Sequence, residues 1–224
     1  IDNLLAADYP ADRMQIIGVS GGSTDGTDEI LRSYHGTLNF VLLPPGGKAL
    51  ALNAGVAAAR HDVLVFADAR QTFAPDALRA LVRALADPRV GGVSGELVLD
   101  CESASTDSAI GDGVGAYWRY EKWLRRHESL VGSIVGSTGA IYALRRELWQ
   151  PLPPDTILDD VLAPMRAVLS GARVVFEGSA RAYDRVASAA STEFQRKTRT
   201  LSGNYQILRL EPQRARSPCP RSSP

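Results

Sequence analysis

The chain reads as an α/β protein, a mostly parallel sheet with helices on both faces. Three observations predict it. Short apolar runs at 15–19, 40–43 and 63–67 recur at intervals that leave room for a helix between them. Each run stops at a polar or Pro/Gly turn: Ser20-Gly21-Gly22-Ser23-Thr24-Asp25-Gly26-Thr27, then Pro44-Pro45-Gly46-Gly47-Lys48, then Asp68-Ala69-Arg70. The run Val63-Leu64-Val65-Phe66-Ala67 is apolar on both faces, as a central parallel strand is.

The elements follow in order. Residues 15–19 form the first strand, and Thr24 or Asp25 caps a helix whose first turn carries Asp28 and Glu29, where the helix dipole favours acids. Residues 40–43 form a second strand. The Ala-rich stretch 48–60 is helical, with small residues that allow close packing on a sheet. After the strand 63–67, Pro75 opens a helix running towards Ala86, and 90–99 is a strand that its glycines bend. A polar loop occupies 101–111. Residues 117–130 are helical, and Trp118, Tyr120 and Trp123 on one face imply burial in the core or against a neighbour. A Gly-rich turn leads into an apolar strand within 136–144. Residues 159–170 form a helix that Gly171 ends, 174–176 a short strand, and 191–210 a basic amphipathic helix.

Composition narrows the function. Across 224 residues, Lys plus Arg number 25 and Asp plus Glu 25, so no global field points to nucleic acid or an anionic membrane. No run approaches the ~20 apolar residues of a membrane span. The two cysteines, Cys101 and Cys219, lie in polar stretches that suit neither a disulfide framework nor a metal site. The opening, Ile1-Asp2-Asn3-Leu4-Leu5, reads as the middle of a helix, hence a fragment lacking its N-terminus. Residues 1–210 are expected to form one domain, and the Pro/Arg/Ser-rich 211–224 a disordered or non-native tail.

Several polar motifs have two readings each. Asp68, directly after the central strand, can reach a divalent cation bridging two phosphates, or can simply form a turn. Gly46-Gly47-Lys48 can bring amides and a cation to an anion, or make a plain turn; no Ser or Thr follows the Lys, so it is not a P-loop. Ser20 to Thr27 can face a ribose or base, or cap a helix. Asp159-Asp160 offers a general base, or a pair of acids suited to a helix start. Arg196 and Arg199, three apart on one helix, can hold a diphosphate or form a solvated basic face.

Together these motifs resemble glycosyltransferase family 2, with its type A nucleotide-sugar, Rossmann-like fold. Val19 to Thr27 resembles the family's V-[DS]-D-G-S-T-D-G-T segment. Residues Gly46 to Gly55 resemble G-K-x-x-A-L-N-x-G, and Val65 to Arg70 the strand ending in D-x-D. Gly136 to Glu147 resembles G-x-x-x-A-x-R-R-E. Asp159-Asp160 takes the place of its E-D pair, and Arg196 to Thr200 that of Q-x-x-R-W. The resemblance implies transfer of a sugar from a nucleotide-diphosphate donor to a hydroxyl of a lipid or glycan acceptor, usually with inversion. It implies polysaccharide biosynthesis, no nucleic acid, and work at the cytoplasmic side of a membrane through segments outside this chain.

The implied site follows from the same resemblance. Asp160, Asp159 and Arg199 are catalytic, with Asp160 as base. Ser20, Gly22, Ser23, Asp25, Gly47, Lys48, Asn53, Asp68, Arg70 and Arg196 bind the donor, and Asp68 holds Mg²⁺ or Mn²⁺. Gly21 and Arg70 stand where the family usually has Asp, Arg196 replaces Gln and Thr200 replaces Trp. The family's first strand would precede Ile1. Two rivals remain open at this point: a non-catalytic remnant on the same scaffold, and a sugar-phosphate nucleotidyltransferase.

Overall fold

The computed structural model describes residues 1–100, 120, 122–134, 136–185 and 190–210. The expected loop 101–111, Trp118, both cysteines and the tail 211–224 lie outside the described residues, as does the side chain of Arg196. In chain order the elements are α1 (Asp2–Leu5), β1 (Ile17–Gly21), α2 (Thr27–Ser33), β2 (Asn39–Leu43), α3 (Gly47–Ala58), β3 (Val63–Ala67), β4 (Thr72–Phe73) and α4 (Ala77–Ala84). They continue with β5 (Val90–Asp100), a helix α5 at 122–131, β6 (Ile141–Arg145), α6 (Asp159–Leu169), β7 (Arg173–Arg185) and α7 (Ala190–Leu210).

The α/β class holds, but the pairing is mixed rather than mostly parallel. β1 and β2 pair in parallel as a two-stranded sheet, and a five-stranded sheet runs β3-β6-β5-β7-β4. Within it β5/β7 is parallel, while β3/β6, β5/β6 and β4/β7 are antiparallel. The reason is β6, which returns through the middle of the sheet and pairs with β3 on one side and β5 on the other. Alternation of strand and helix foretells parallel neighbours only while each strand lands beside the last.

β6 also shows how both faces are covered. Successive side chains of a strand point to opposite faces. Ile141 and Ala143 join the core built on α4, with Leu78, Leu81 and Val93. Tyr142 and Leu144 join the opposite core with Leu64, Phe66 and Ile134, against Leu52 and Val56 of α3 and Ala167 of α6. All four of these β6 side chains are fully buried. α3 packs on β1 as well as beneath β3, and so ties the small sheet to the large one.

Two strands differ from expectation. β7 extends to Arg185 instead of stopping after 176, and its far half pairs with the unforeseen two-residue β4. Glu177-Gly178-Ser179 forms a bulge, where the register with β5 shifts between Ser94 and Glu96. β4 is anchored by Asn3, whose amide donates to the Phe73 carbonyl (3.0 Å) and accepts from its N–H (2.6 Å). Tyr120 and Trp123 are exposed rather than in the core. Trp123 instead packs on His127, with ring centroids 4.2 Å apart.

Candidate active site

The C-terminal ends of β1, β2 and β3 meet the N-terminus of α3. Lys48, in the first turn of α3, places its ammonium 3.0 Å from Asp68 Oδ1, just past β3, and 3.3 Å from Asp159 Oδ2 at the start of α6. Residues distant in sequence thus share one charge cluster. It is open on one side: the Lys48 and Asp68 side chains are 38% and 35% exposed, that of Asp159 only 5%.

Asp160 completes the cluster. Burial, then the charge of Asp159, raises its carboxyl from the ordinary 3.8 to about 6, against the pull of Lys48. Burial works against the Lys48 charge, but Asp159, Asp68 and Asp160 outweigh it and hold the ammonium above its ordinary value. Tyr142 lies on the floor, stacked on Phe66 at 4.5 Å between centroids. Its phenol is pushed up by burial and by the same three carboxylates. Among the described residues Tyr142 Oη is buried without a hydrogen-bond partner, and the buried Asp159 Oδ2, though 3.3 Å from the Lys48 ammonium, makes no hydrogen bond.

Backbone details fix Asp160. Pro164 stands inside α6 and is buried. Having no N–H, it leaves the carbonyl four residues earlier, that of Asp160, without its helical donor. Ser137 takes that place with both its N–H (2.9 Å) and its Oγ–H (2.8 Å). Gly139 makes room for the carboxylate itself: a Cβ there would lie 2.9 Å from Asp160 Oδ2. α7 comes against the same helix start, because a Cβ on Gly203 would lie 2.4 Å from Leu158 Cγ.

The other sequence-predicted residues surround this centre in different ways. Ser20 is buried and its Oγ–H donates to Ser23 Oγ at 3.1 Å. Gly22 has φ +77° and abuts Pro45, and Gly47 has φ +81°. Asp25 accepts from the Thr27 N–H (3.2 Å) and hydroxyl (2.6 Å), a local turn before α2 that holds its carboxyl below the usual range. Asn53 points to a loop rather than to the carboxylates; its amide donates to the Leu152 carbonyl (2.8 Å) and accepts from the Leu152 N–H (2.9 Å). Arg70 is paired with the buried Asp184 at 3.0 Å. Arg199, exposed on α7, donates from Nη2 to the Ile157 carbonyl at 3.4 Å, beside the loop that leads into Asp159. Arg196 lies one turn earlier on α7.

Sequence reasoning missed Tyr142, Ser137, Gly139 and Pro164. Pro164, four residues after Asp160, was the one legible signal. A cavity of about 590 Å³ lined by Met14, Gln15, Leu38, Phe40 and Arg60 sits at the other end of β1 and β2, away from the carboxylates.

A mixed sheet covered by helices, with carboxylates and a lysine gathered where its strands end, is an arrangement shared with the type A nucleotide-sugar glycosyltransferases. The model of glycosyl transferase family 2 matches residues 1–149, and the chain belongs to that family. Poly-beta-1,6-N-acetyl-D-glucosamine synthase of Staphylococcus aureus (strain COL) is 24% identical over 219 residues, covering 93% of this chain and 51% of that protein. A probable glycosyltransferase, YdaM, of Bacillus subtilis (strain 168) is 26% identical over 217 residues, covering 89% of this chain and 50% of its own length. The chain therefore spans about half the length of the curated relatives it matches.

Among solved structures, the mannosyltransferase PcManGT from Pyrobaculum calidifontis, in complex with GDP-Man and Mn²⁺, superposes with TM-score 0.75 at 26% identity, over 93% of this chain and 59% of that one. TarS 1-349 of S. aureus, in complex with UDP-GlcNAc, shares the fold with TM-score 0.61 at 16% identity, over 84% of this chain and 54% of that one. Among the described residues no helix is long and apolar enough to cross a membrane.

Proposed function

We propose that this chain carries the donor site and catalytic base of an inverting hexosyltransferase, which moves a sugar from a nucleoside-diphosphate donor to a hydroxyl of a lipid or growing glycan. The observation that carries this reading is the cluster at the strand ends, Lys48 3.0 Å from Asp68 and 3.3 Å from Asp159, with the neighbouring Asp160 carboxyl raised by burial to about 6. Such a group is ionised at neutral pH yet markedly more basic than an ordinary carboxylate, as a general base requires. Asp160 takes the acceptor O–H proton as that oxygen bonds to the anomeric carbon. The bond from that carbon to the diphosphate oxygen breaks on the opposite side, and its electron pair leaves with the nucleoside diphosphate. Configuration inverts.

The remaining residues hold the donor. Ser20, Gly22, Ser23 and Asp25 rim the nucleoside, while Gly47, Lys48 and Asp68 meet the diphosphate. Asn53 shapes this edge through Leu152, and Arg199 with Arg196 receives the departing diphosphate. Asp159 orients Lys48.

A divalent cation fits these residues if the donor shares in holding it. Among the described residues no three acidic, imidazole or thiolate groups form a metal cage of their own. Mg²⁺ sites on phosphate substrates, however, use one or two carboxylates plus phosphate oxygens. Asp68 supplies a partly exposed hard oxygen, and Asp159 Oδ2, ion-paired with Lys48 but without a hydrogen bond among the described residues, a second nearby. Bound there, Mg²⁺ or Mn²⁺ would offset charge on the leaving diphosphate.

The synthase relative supports polysaccharide synthesis by the whole protein. The reading places that work at the cytoplasmic face of a membrane, with 1–210 as the catalytic domain and 211–224 outside it. Arg70, committed to Asp184 where the family motif has an acid, favours a second reading, a scaffold that binds nucleotide without turnover.

The test titrates UDP and GDP, with and without Mn²⁺, into the parent and Asp160→Asn, then assays transfer from GDP-mannose and UDP-GlcNAc. Nucleotide should bind both proteins, and transfer should fall at least about a hundredfold in the variant. Binding without transfer by the parent supports the second reading. No binding by either protein removes both readings.

A further inference from the structure

We infer that Lys48 is a resident cation. In the donor-free protein its ammonium fills the place between Asp68 and Asp159 that a divalent ion would need, so that metal and nucleotide load together rather than metal first. This deepens the donor-site reading above and rests on it.

The argument begins with charge. Asp159 is almost wholly buried, and a buried carboxylate needs a counter-charge or hydrogen bonds. It has Lys48 at 3.3 Å, yet its Oδ2 accepts no hydrogen bond. Asp68, which comes from a different element, finds the same ammonium at 3.0 Å. One flexible side chain therefore neutralises two acids brought together from β3 and α6. A third acid, Asp160, adds to the field.

Arg70 does not relieve this demand, because its guanidinium lies on Asp184. Tyr142 Oη, buried and without a hydrogen-bond partner among the described residues, feels the field of the same three carboxylates.

A free divalent ion arriving at Asp68 and Asp159 would meet a positive charge already between them. Like charges this close repel strongly at the effective dielectric of a partly buried site. A nucleoside diphosphate changes the balance. Its phosphates give Lys48 new anionic partners, and the four-carbon stem lets the ammonium move without moving α3. Asp68 is then released to the ion, while the phosphates supply its remaining oxygens. Linkage makes this reciprocal: nucleotide tightens metal by the factor that metal tightens nucleotide.

The experiment measures Mn²⁺ binding by electron paramagnetic resonance, without nucleotide and then with UDP or GDP. It uses the parent, Lys48→Met, and Lys48→Met combined with Asp68→Asn. Met keeps the length of the stem and removes the charge. Without nucleotide, Lys48→Met should bind Mn²⁺ at least about tenfold more tightly than the parent, and the double variant should lose that gain. Nucleotide should tighten Mn²⁺ in the parent by a larger factor than in Lys48→Met. Equal affinity of the parent and Lys48→Met for free Mn²⁺, with both proteins folded by circular dichroism, would overturn the inference. So would a gain that survives Asp68→Asn. The nucleotide-free arm stands even if neither nucleotide binds, so failure of the donor reading is distinguishable from failure of this one.

Discussion

Replacing Asp160 by Asn should stabilise the protein while removing its activity. The carboxyl rises from 3.8 to about 6 on folding, with burial as the leading cause. Each unit corresponds to about 1.4 kcal/mol, so the ionised form costs folding up to roughly 3 kcal/mol. Partial exposure and solvent screening reduce this to about 1–3 kcal/mol. The sign follows from proton counts. Between 3.8 and about 6 the folded state holds the Asp160 proton more than the unfolded chain does, so the parent loses stability as pH rises through that window. Above it the penalty is complete. Asn is nearly isosteric and carries no charge, so it escapes the penalty. Thermal or urea melts at pH 7.5 should show the variant more stable by about 1–3 kcal/mol, or about 2–10 °C for a chain of this size. At pH 4 the advantage should shrink to a few tenths of a kcal/mol. A variant less stable than the parent at pH 7.5, or an advantage unchanged down to pH 4, would refute the assignment of a buried, costly carboxylate.

Gly139→Ala should displace the Asp160 carboxylate, since the new Cβ would sit 2.9 Å from Oδ2. Steady-state kinetics should show kcat down at least about tenfold with the donor KM within about threefold, because misplacing a reacting group by about 1 Å can cost up to about a hundredfold. Asn53→Ala should act on stability first: it removes both bonds to Leu152, so melts should show a loss of about 2–3 kcal/mol, with nucleotide affinity changed less than about fivefold. A variant of Asn53 with parental melts and lost nucleotide affinity would instead make it a direct donor ligand.

Much of this site could be read before the fold was known, because its charged members sit where strand gives way to helix. Asp68 after an apolar run, Lys48 after a Gly-Gly turn and Asp159-Asp160 at a helix start all announce themselves locally. Their convergence does not. It depends on β6 entering between β3 and β5, which no local pattern encodes. Tyr142 looks like any apolar strand residue until the strand register turns it towards the carboxylates. Ser137 and Gly139 look like turn formers until Pro164 frees the Asp160 carbonyl. Asn53 shows the converse: it matches a family motif, yet its amide is engaged by a backbone segment ninety-nine residues away. The length of β7 was hidden for a simpler reason, since Glu177-Gly178-Ser179 has turn composition and forms a bulge.

The most direct test of the account is the pH dependence of sugar transfer. With Asp160 as the proton acceptor, kcat/KM for the donor that proves active should rise about tenfold per pH unit below an apparent pKa of about 6 and level off above it. A rate flat from pH 5 to 7, or one that breaks only near the ordinary carboxylate value, would contradict it.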